Sequence, residues 1–339
     1  MKALRINVPG RIEIADVPEP QVGPGEAVIA VARGGICGSD MHIYHGSNPF
    51  ASYPRIPGHE FVGTVLRTGP GSRTLRPGQR VVVNPVVSCG SCHACRIGRS
   101  NVCTSLQVYG VHRDGGFAQQ IAVGEHNLFP IPDTLSWDDA VFIEPFSIAA
   151  NIASRVAIDR QDRVLIIGAG PIGLTVLQVA ILVGAQVAVC DMIEPRLAYA
   201  SSLGAKMVIN STREDLETRV KDFTDGDGPS VLIDAAGVPS LFGALTRMAS
   251  PGARIGILGF STEVSGITQY EITRKELTIA GSRLNNGKFP AVIDWMREGL
   301  LRPAALLSRA FPLDRATDAF GHIDANRDTV LKVLIDMEA

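Results

Sequence analysis

The chain has 339 residues and a formal net charge of −2, with 45% hydrophobic and 19% charged residues. This length exceeds the ~250 to 300 residues at which a single hydrophobic core stops growing, so we predict two globular domains. The composition argues against intrinsic disorder, and no run of Lys and Arg indicates a nucleic-acid surface. The first residues lack the continuous apolar segment of a signal peptide, which predicts a cytoplasmic protein.

The predicted elements change character near the middle of the chain. Residues 1–150 contain short strands between Gly and Pro turns, such as 27–32 and 61–66, which indicate a β-rich domain. From residue 151, strands alternate with helical segments, as in a doubly wound parallel α/β sheet. Its six predicted strands are 163–167, 185–191, 206–209, 231–234, 254–258 and 277–280.

The region after the predicted sheet contains one more helix, 290–298, and a last strand, 330–335. We assign residues 284–339 to the first domain together with 1–150, and residues 151–283 to the second. The segment 164–190 carries no charge, but its glycines divide it into strand, turn, helix and strand, so we expect no membrane span.

Four of the six cysteines lie within fifteen residues. Four thiolates are the number that a closed tetrahedral zinc site needs. A bacterial iron–sulfur run would place its fourth cysteine after three residues and before proline, whereas here seven residues intervene and Thr104 follows. We predict a structural zinc lobe over residues 86–106, with His93 as a solvated loop residue and with Cys89, Cys92, Cys95 and Cys103 as ligands.

A second set of metal-binding residue types is dispersed along the first domain. It comprises Cys37, the pair His59-Glu60, and Glu144. Taken singly, each has an ordinary explanation, such as a buried cysteine, a turn histidine or a helix N-terminal acid. Together they supply the mixed S, N and O ligands of a catalytic zinc, which keeps one exchangeable position. The sequence does not rank Glu60 against Glu144 as the third ligand.

A glycine-rich turn, Gly-Ala-Gly-Pro-Ile-Gly, follows the strand 163–167. The three glycines suit a tight turn, the approach of a pyrophosphate and close helix packing. Asp191, at the end of the next strand, would bind the adenosine ribose and repel a 2′-phosphate, which favours NAD, while Arg196 leaves use of NADP open. The expected cofactor-binding residues are Gly168, Gly170, Pro171, Ile172, Gly173, Asp191, Arg196, Ala236, Gly237, Leu258 and Arg283.

These motifs together resemble the zinc-containing medium-chain dehydrogenase/reductase family over essentially the whole chain. The matching segments are 35–40, 58–60, the four-cysteine lobe, 115–117, 144–145 and 168–173. The presence of glutamate at position 144 resembles the polyol and threonine dehydrogenase branch of this family. The resemblance implies a GroES-like catalytic domain, a Rossmann domain, a catalytic and a structural zinc ion, NAD, and a homo-oligomer, either dimer or tetramer.

Three further segments, 48–60, 110–116 and 282–290, resemble bacterial hexonate dehydrogenases, whose close relatives carry a starvation-sensing label. This resemblance implies oxidation of L-gulonate to D-fructuronate. L-galactonate, sorbitol or another polyol, and L-threonine stay open as substrates. A regulator that binds NAD without turnover is the alternative from another functional class.

The residues near Cys37 permit a route for the substrate proton. Ser39 could pass it through the cofactor ribose to His42, because an imidazole exchanges protons with solvent near neutral pH. A turn hydroxyl and a surface histidine are the ordinary explanations of these two residues. A sugar acid also needs a cation for its carboxylate, and the candidate substrate contacts are Tyr44, Arg113, Phe117, Asn285 and Lys288.

Overall fold

The computed structural model describes residues 1–72 and 74–338, which form two compact units. The first unit comprises residues 1–144, 285–299 and 306–339, and the second comprises 145–284 and 300–305. Residues 145–150, 284 and 300–305 thus cluster with the second unit, although the sequence analysis assigned them to the first. Across the described ranges, no helix has both the length and the apolar character needed to cross a bilayer.

Strands and helices cover both units. Within the described residues the strands are β1 (Lys2–Val8), β2 (Arg11–Asp16), β3 (Glu26–Ile36), β4 (Glu60–Thr68), β5 (Arg80–Val83), β6 (Val86–Val87), β7 (Gln107–Val108), β8 (Gln120–Gly124), β9 (Leu128–Pro130), β10 (Arg163–Ile167), β11 (Gln186–Asp191), β12 (Met207–Asn210), β13 (Val231–Asp234), β14 (Arg254–Ile257), β15 (Thr278–Gly281), β16 (Leu307–Pro312) and β17 (Lys332–Asp336). The helices are α1 (Gly38–Tyr44), α2 (His93–Arg96), α3 (Trp137–Ala140), α4 (Ile143–Arg155), α5 (Pro171–Leu182), α6 (Glu194–Ser202), α7 (Leu216–Phe223), α8 (Phe242–Met248), α9 (Gln269–Thr273), α10 (Phe289–Arg297) and α11 (Ala316–Ala325).

The second unit contains a six-stranded parallel sheet in the order β12-β11-β10-β13-β14-β15. Numbered from its first strand, this is the doubly wound order 3-2-1-4-5-6. The strand β10 is central, and its residues Val164, Leu165 and Ile166 are wholly buried. Full burial of each such side chain contributes about 1.5–3 kcal/mol, which explains the continuous apolar run. The prediction of a six-stranded doubly wound sheet is confirmed, with strand ends shifted by one residue at most.

The first unit is built on a seven-stranded sheet with the path β16-β17-β3-β4-β5-β9, in which β8 also pairs with β3. The eleven-residue β3 changes partner along its length: residues 26–30 pair with β8, and residues 33–36 pair with β17. On its other side β3 pairs with β4, with irregularities at Val28/Ile29 and Val31/Arg33. The end of β3 therefore lies between β17 and β4 and leads into Cys37.

The remaining predicted elements of the first unit are present. The predicted strands 27–32 and 61–66 lie within β3 and β4, and the predicted helix 290–298 is α10. The last strand begins at Lys332 rather than at residue 330. The reason is local, because the backbone N–H of Val330 donates to the carbonyl of Asn326 and continues the turn after α11.

Candidate functional site

Three dispersed residues of the first unit converge on one point. The ligand atoms of Cys37, His59 and Glu60 all lie within 4.8 Å of one another. Cys37 follows β3, Glu60 begins β4 opposite Gly35, and His59 directly precedes Glu60. His59 and Glu60 are buried, with 7% and 1% exposure. The sheet thus brings a sulfur, a nitrogen and an oxygen ligand together from two chain segments.

Asp40 holds the two segments that carry these residues. It is wholly buried, and its Oδ2 accepts a hydrogen bond of 2.9 Å from the backbone N–H of Cys37. Its Oδ1 accepts one of 3.1 Å from the N–H of Gly58, next to His59. A carboxylate that accepts backbone N–H groups on both sides fixes the turns around both ligands. The sequence analysis missed this role, for which the signal was an acid at the N3 position of α1.

The electrostatics of this group suit a cation. Burial alone would lower the pKa of His59, but the negative charges of Asp40 and Cys37 raise it well above its ordinary value. The Nδ1 atom of His59 is buried, has no hydrogen-bond partner within 1–72 and 74–338, and lies 3.7 Å from Asp40 Oδ1. This ring nitrogen, the thiol of the half-buried Cys37 and the buried carboxylate of Glu60 together fit a zinc ion, which would replace the proton that the site otherwise attracts.

Glu144 lies near this group but outside the set of ligand atoms within 4.8 Å. It is 3% exposed and belongs to the first turn of α4. Burial is the main reason that the pKa of Glu144 rises to about 7; the charge of Glu60 adds to the rise, whereas those of His59 and Lys332 oppose it. Of the two glutamates, the geometry favours Glu60 as the closer candidate ligand.

Lys332 is a buried ammonium beside the cluster, and the sequence analysis did not single it out. Its Nζ donates to Glu60 Oε1 and Oε2, at 2.7 and 2.6 Å, and to the carbonyl of Ile36 at 3.4 Å. Burial alone would lower the pKa of Lys332, but the charge of Glu60 and the hydrogen bonds to it raise that pKa above its ordinary value. Removal of one partner from such a pair costs about 3–5 kcal/mol. The one sequence signal was a single lysine within the otherwise apolar segment 330–335.

The four cysteines of the lobe also converge. Four Sγ–Sγ distances are 4.0 Å for Cys89–Cys95, 3.5 Å for Cys92–Cys95, 3.9 Å for Cys92–Cys103 and 3.5 Å for Cys89–Cys103. A tetrahedron of sulfurs around zinc has edges of about 3.8 Å, given Zn–S distances near 2.3 Å. The four thiols therefore fit a closed zinc site without rearrangement, and His93 is exposed outside the set.

Hydrogen bonds prepare the lobe for thiolates. The backbone N–H groups of Thr104 and Cys95 lower the pKa of Cys92 to about 5, and hydrogen bonds from Ser91 and Cys92 lower that of Cys89 to about 7. Burial and hydrogen bonding among the thiols raise the pKa of Cys95 to about 11. Cys95 thus retains its proton in the absence of a cation, and metal binding would release it.

The glycine turn of the second unit has the geometry expected of a phosphate-binding turn. Gly168 adopts a φ of +102°, which a residue with a side chain would rarely adopt. A Cβ at Gly173 would overlap the carbonyl of Gly168, so close packing of α5 requires glycine there. A Cβ at Gly170 would meet no atom of the described part of the chain within 4 Å. Those residues therefore give no steric reason for glycine at 170. Pro171 and Ile172 then open α5.

Asp191 closes the same turn from the neighbouring strand. Its Oδ2 accepts a hydrogen bond of 2.6 Å from the N–H of Ala169, and its Oδ1 accepts from the N–H groups of Met192 and Ile193. Ala236 and Gly237 follow β13, and their N–H groups donate to Asp234 Oδ1. These residues and Leu258 lie at or just beyond the carboxyl ends of β10, β11, β13 and β14, the edge at which open α/β sheets bind ligands.

The two arginines expected near a cofactor occupy separate places in the second unit. Arg196 is half-buried in α6. Arg283 follows β15 and places its guanidinium 5.6 Å from the centre of the exposed Phe260 ring. Both side chains have further interactions within the chain.

The proton-relay candidates share α1. Ser39 lies two residues after Cys37. Its hydroxyl is buried and has no hydrogen-bond partner among the described residues. His42 is exposed, with Nδ1 2.9 Å from the hydroxyl of Ser47. Ser39 and His42 are three residues apart, so the buried hydroxyl and the solvated imidazole lie on one face of the helix.

The five candidate substrate contacts have different environments. Phe117 is wholly buried against Gly34 and Gly58, so it supports the turn before His59 rather than lining a cavity. Asn285 is 2% exposed and donates to Asn84 Oδ1 at 3.1 Å.

The other three are accessible. Tyr44 is half-buried with its ring edge toward Phe320, Arg113 is exposed over the ring of Tyr109, and Lys288 caps α10. Arg113 and Lys288 are therefore accessible cations among the five candidates.

Comparison with known proteins agrees with this architecture. The alcohol dehydrogenase GroES-like domain family matches residues 23–133, and the zinc-binding dehydrogenase family matches residues 171–298. The chain is 44% identical to the starvation-sensing protein RspB of Escherichia coli K12 over 99% of each chain. It is 32% identical to the L-galactonate-5-dehydrogenase of the same strain over 94% of each chain.

A solved structure supports the same assignment. The crystal structure of the alcohol dehydrogenase RspB from Escherichia coli CFT073, complexed with the cofactor NADH, matches with a TM-score of 0.95 and 43% identity, covering 99% of each chain. The predicted GroES-like and Rossmann fold is thereby confirmed. The chain belongs to the zinc-type alcohol dehydrogenases of the medium-chain dehydrogenase/reductase family.

Proposed function

We propose that this protein is a zinc- and NAD-dependent dehydrogenase that oxidises a secondary alcohol of a sugar acid, with L-gulonate to D-fructuronate as the favoured reaction. The observation that carries the proposal is the convergence of the half-buried Cys37 with the buried His59 and Glu60. Three mixed ligands leave one position for an exchangeable oxygen, which distinguishes a catalytic zinc site from the closed site of four cysteines.

The residues around the cluster have separate tasks in this proposal. Zinc supplies a Lewis acid that favours the deprotonated form of an alcohol. Asp40 orients the turns that carry Cys37 and His59. The free hydroxyl of Ser39 takes part in removing the substrate proton, and the exposed His42 transfers a proton to water.

NAD is the proposed hydride acceptor. The open space at Gly170 allows a pyrophosphate to approach the N-terminus of α5, whose N–H groups favour an anion. Asp191 keeps two hydrogen bonds on Oδ1 and one on Oδ2, so a lone pair of Oδ2 remains for a ribose hydroxyl. A carboxylate at this position disfavours a 2′-phosphate, which supports NAD over NADP.

The substrate assignment is supported by the 32% identity to L-galactonate-5-dehydrogenase and by the need for a carboxylate partner. Arg113 and Lys288 are the accessible cations among the candidate contacts. A hydrogen bond to a charged group contributes about 1.5–3 kcal/mol, so loss of the right cation lowers kcat/KM for a sugar acid roughly tenfold or more.

Formation of NADH by the zinc-loaded protein tests the proposal with a matched pair of substrates. Sorbitol carries the same carbinol centres as L-gulonate but has a hydroxymethyl group in place of the carboxylate. We expect kcat/KM for L-gulonate to exceed that for sorbitol roughly tenfold or more, and NADP to be a poor acceptor. The variants Arg113→Gln and Lys288→Gln identify the carboxylate partner, because the relevant one affects L-gulonate and leaves sorbitol unchanged.

Other outcomes of the same panel select the alternatives. Preference for L-galactonate would keep the sugar-acid class and change the isomer. Preference for sorbitol or L-threonine would keep the zinc mechanism and reject the sugar acid. No turnover of any substrate, in a protein that binds NAD and both zinc ions, would favour the regulatory alternative that the name of the RspB relative suggests.

A further inference from the structure

The ion pair of Lys332 and Glu60 lies inside the sheet, beside the candidate catalytic metal centre. The two side chains are 4% and 1% exposed, and the ammonium binds both carboxylate oxygens. Withdrawal of two charges from water costs free energy that an apolar pair would not incur. The backbone ladder already joins the three strands. A role in the site itself therefore accounts for the pair better than a role in holding the strands together.

Strand register places the pair and the cysteine on one face of the sheet. Gly35 of β3 lies opposite Glu60 of β4. The antiparallel register of β17 with β3, continued by one residue, sets Lys332 opposite Cys37. Alternate residues of a strand face the same side, so positions 35, 37, 60 and 332 share that face. Lys332 and Glu60 therefore approach each other across the end of β3, directly beside the sulfur ligand.

Gly35 leaves the space through which Glu60 reaches Lys332. A Cβ at this position would overlap Glu60 Oε2 and would lie 2.9 Å from a methyl carbon of Val141. The backbone of Gly35 has no positive φ, so its conformation does not require glycine. The requirement comes from the carboxylate, which occupies the volume that any side chain at position 35 would fill.

We propose that Lys332 is a positioning residue that restrains the Glu60 carboxylate at the edge of the metal centre, so that one coordination position stays available to an exchangeable ligand. This inference rests on the proposed zinc site. A carboxylate can bind a metal ion through one or both oxygens. Because Lys332 engages both oxygens, Glu60 cannot turn fully toward a cation without breaking an ion pair. Without the ammonium, both oxygens would be free to occupy the site.

Imidazole binding to the Co²⁺-substituted protein tests this restraint without measuring turnover. The visible absorption of Co²⁺ reports its coordination geometry, and imidazole is a small neutral ligand for an open position. The closed four-cysteine site accepts no further ligand, so the difference spectrum on adding imidazole reports the other site. For Lys332→Met we expect retained metal and an imidazole affinity reduced roughly tenfold or more, while Lys332→Arg keeps most of the affinity.

The Glu60→Gln background separates positioning from a structural role. If Lys332 acts through the Glu60 carboxylate, Lys332→Met has little effect on imidazole affinity in a Glu60→Gln protein. An affinity equal to that of the unmodified protein in Lys332→Met would overturn the inference. So would an equal loss in both backgrounds, because a general disturbance of the fold does not depend on the carboxylate.

Gly35→Ala provides an independent test, because it leaves both charges in place. The added Cβ displaces the Glu60 carboxylate from its position, so we expect a weakened imidazole response and a higher KM for the alcohol with an unchanged KM for NAD. An unchanged imidazole response would contradict the role assigned to Gly35 in the restraint. Absence of any imidazole response in the unmodified Co²⁺ protein would instead reject the proposed zinc site on which the inference rests.

Discussion

The four-cysteine lobe draws all of its candidate ligands from residues 89–103, whereas the Cys37–His59–Glu60 cluster draws them from the ends of two paired strands. The lobe has a short helix and turns around its sulfurs, and Cys89 is exposed. In the cluster His59 and Glu60 are buried, Cys37 is half-buried, and the residues depend on contacts with others distant in sequence. One region would thus surround a cation with residues of a single local segment, whereas the other gathers candidate ligands at the ends of two strands.

The chemistry of the two regions differs in the same way. In the lobe, four sulfurs would fill the shell of a tetrahedral zinc ion, and backbone N–H groups donate to the sulfurs of Cys89 and Cys103. In the cluster, a carboxylate and an ammonium outside the ligand set hold the ligands in place. Such supporting contacts orient ligands and tune a metal. The reactivity of a metal centre therefore depends on the residues around its ligands as much as on the ligands themselves.

Loss of His59 has the largest expected effect on turnover. In His59→Ala the cluster loses its nitrogen ligand, so we expect kcat to fall roughly 10³-fold or more, since metal polarisation contributes several kcal/mol. Bound zinc falls by one ion while the lobe ion remains. Metal analysis and NADH formation measure both effects. His45→Ala is the matched control, because this exposed histidine contacts Asp324 and lies outside the cluster; near-normal turnover of His59→Ala would refute the assigned site.

Asp40→Asn should have an intermediate effect. An asparagine keeps one oxygen acceptor but presents an NH₂ group to the other backbone N–H, so one of the two supporting hydrogen bonds at Cys37 and Gly58 is lost. We expect zinc to be lost to a chelator at a concentration about 10- to 100-fold lower. Glu271→Gln is the control, because Glu271 also accepts a hydrogen bond at a helix N-terminus but lies on the exposed α9. Equal zinc retention in both variants would contradict the positioning role of Asp40.

The parts of this molecule that were predictable from sequence are those with local signals. Strand β10, the glycine turn and Asp191 belong to one short unit whose pattern specifies its geometry. The lobe likewise follows from the spacing of its cysteines. In both cases the residues that act together are close along the chain, so loops of few residues bring them together.

The support of the cluster was not predictable in this way. Lys332 and Glu60 are 272 residues apart, and the strand register that joins them depends on the whole sheet. The same limit explains why sequence could not rank Glu60 above Glu144. It also explains why Phe117 was predicted as a substrate contact. The sequence Gly-Gly-Phe does not indicate whether the aromatic ring faces a cavity or packs against distant glycines, as it does against Gly34 and Gly58.

Loss of a lobe cysteine has the smallest expected effect on turnover and therefore tests the comparison from the other side. Cys103→Ser removes the buried sulfur, which contacts both Cys89 and Cys92. We expect loss of the lobe ion and a melting temperature lower by roughly 5 °C or more, because a ligand that binds only the folded state stabilises it. At a temperature well below melting, kcat should stay within a few-fold of normal, since the cluster draws no ligand from the lobe.

His93→Ala is the control, as this exposed neighbour lies outside the sulfur set and its loss should change neither zinc content nor melting temperature. A Cys103→Ser protein that keeps both zinc ions would show that the lobe is not a closed four-sulfur site, and one that stays folded but loses all turnover would show that the two regions are not independent.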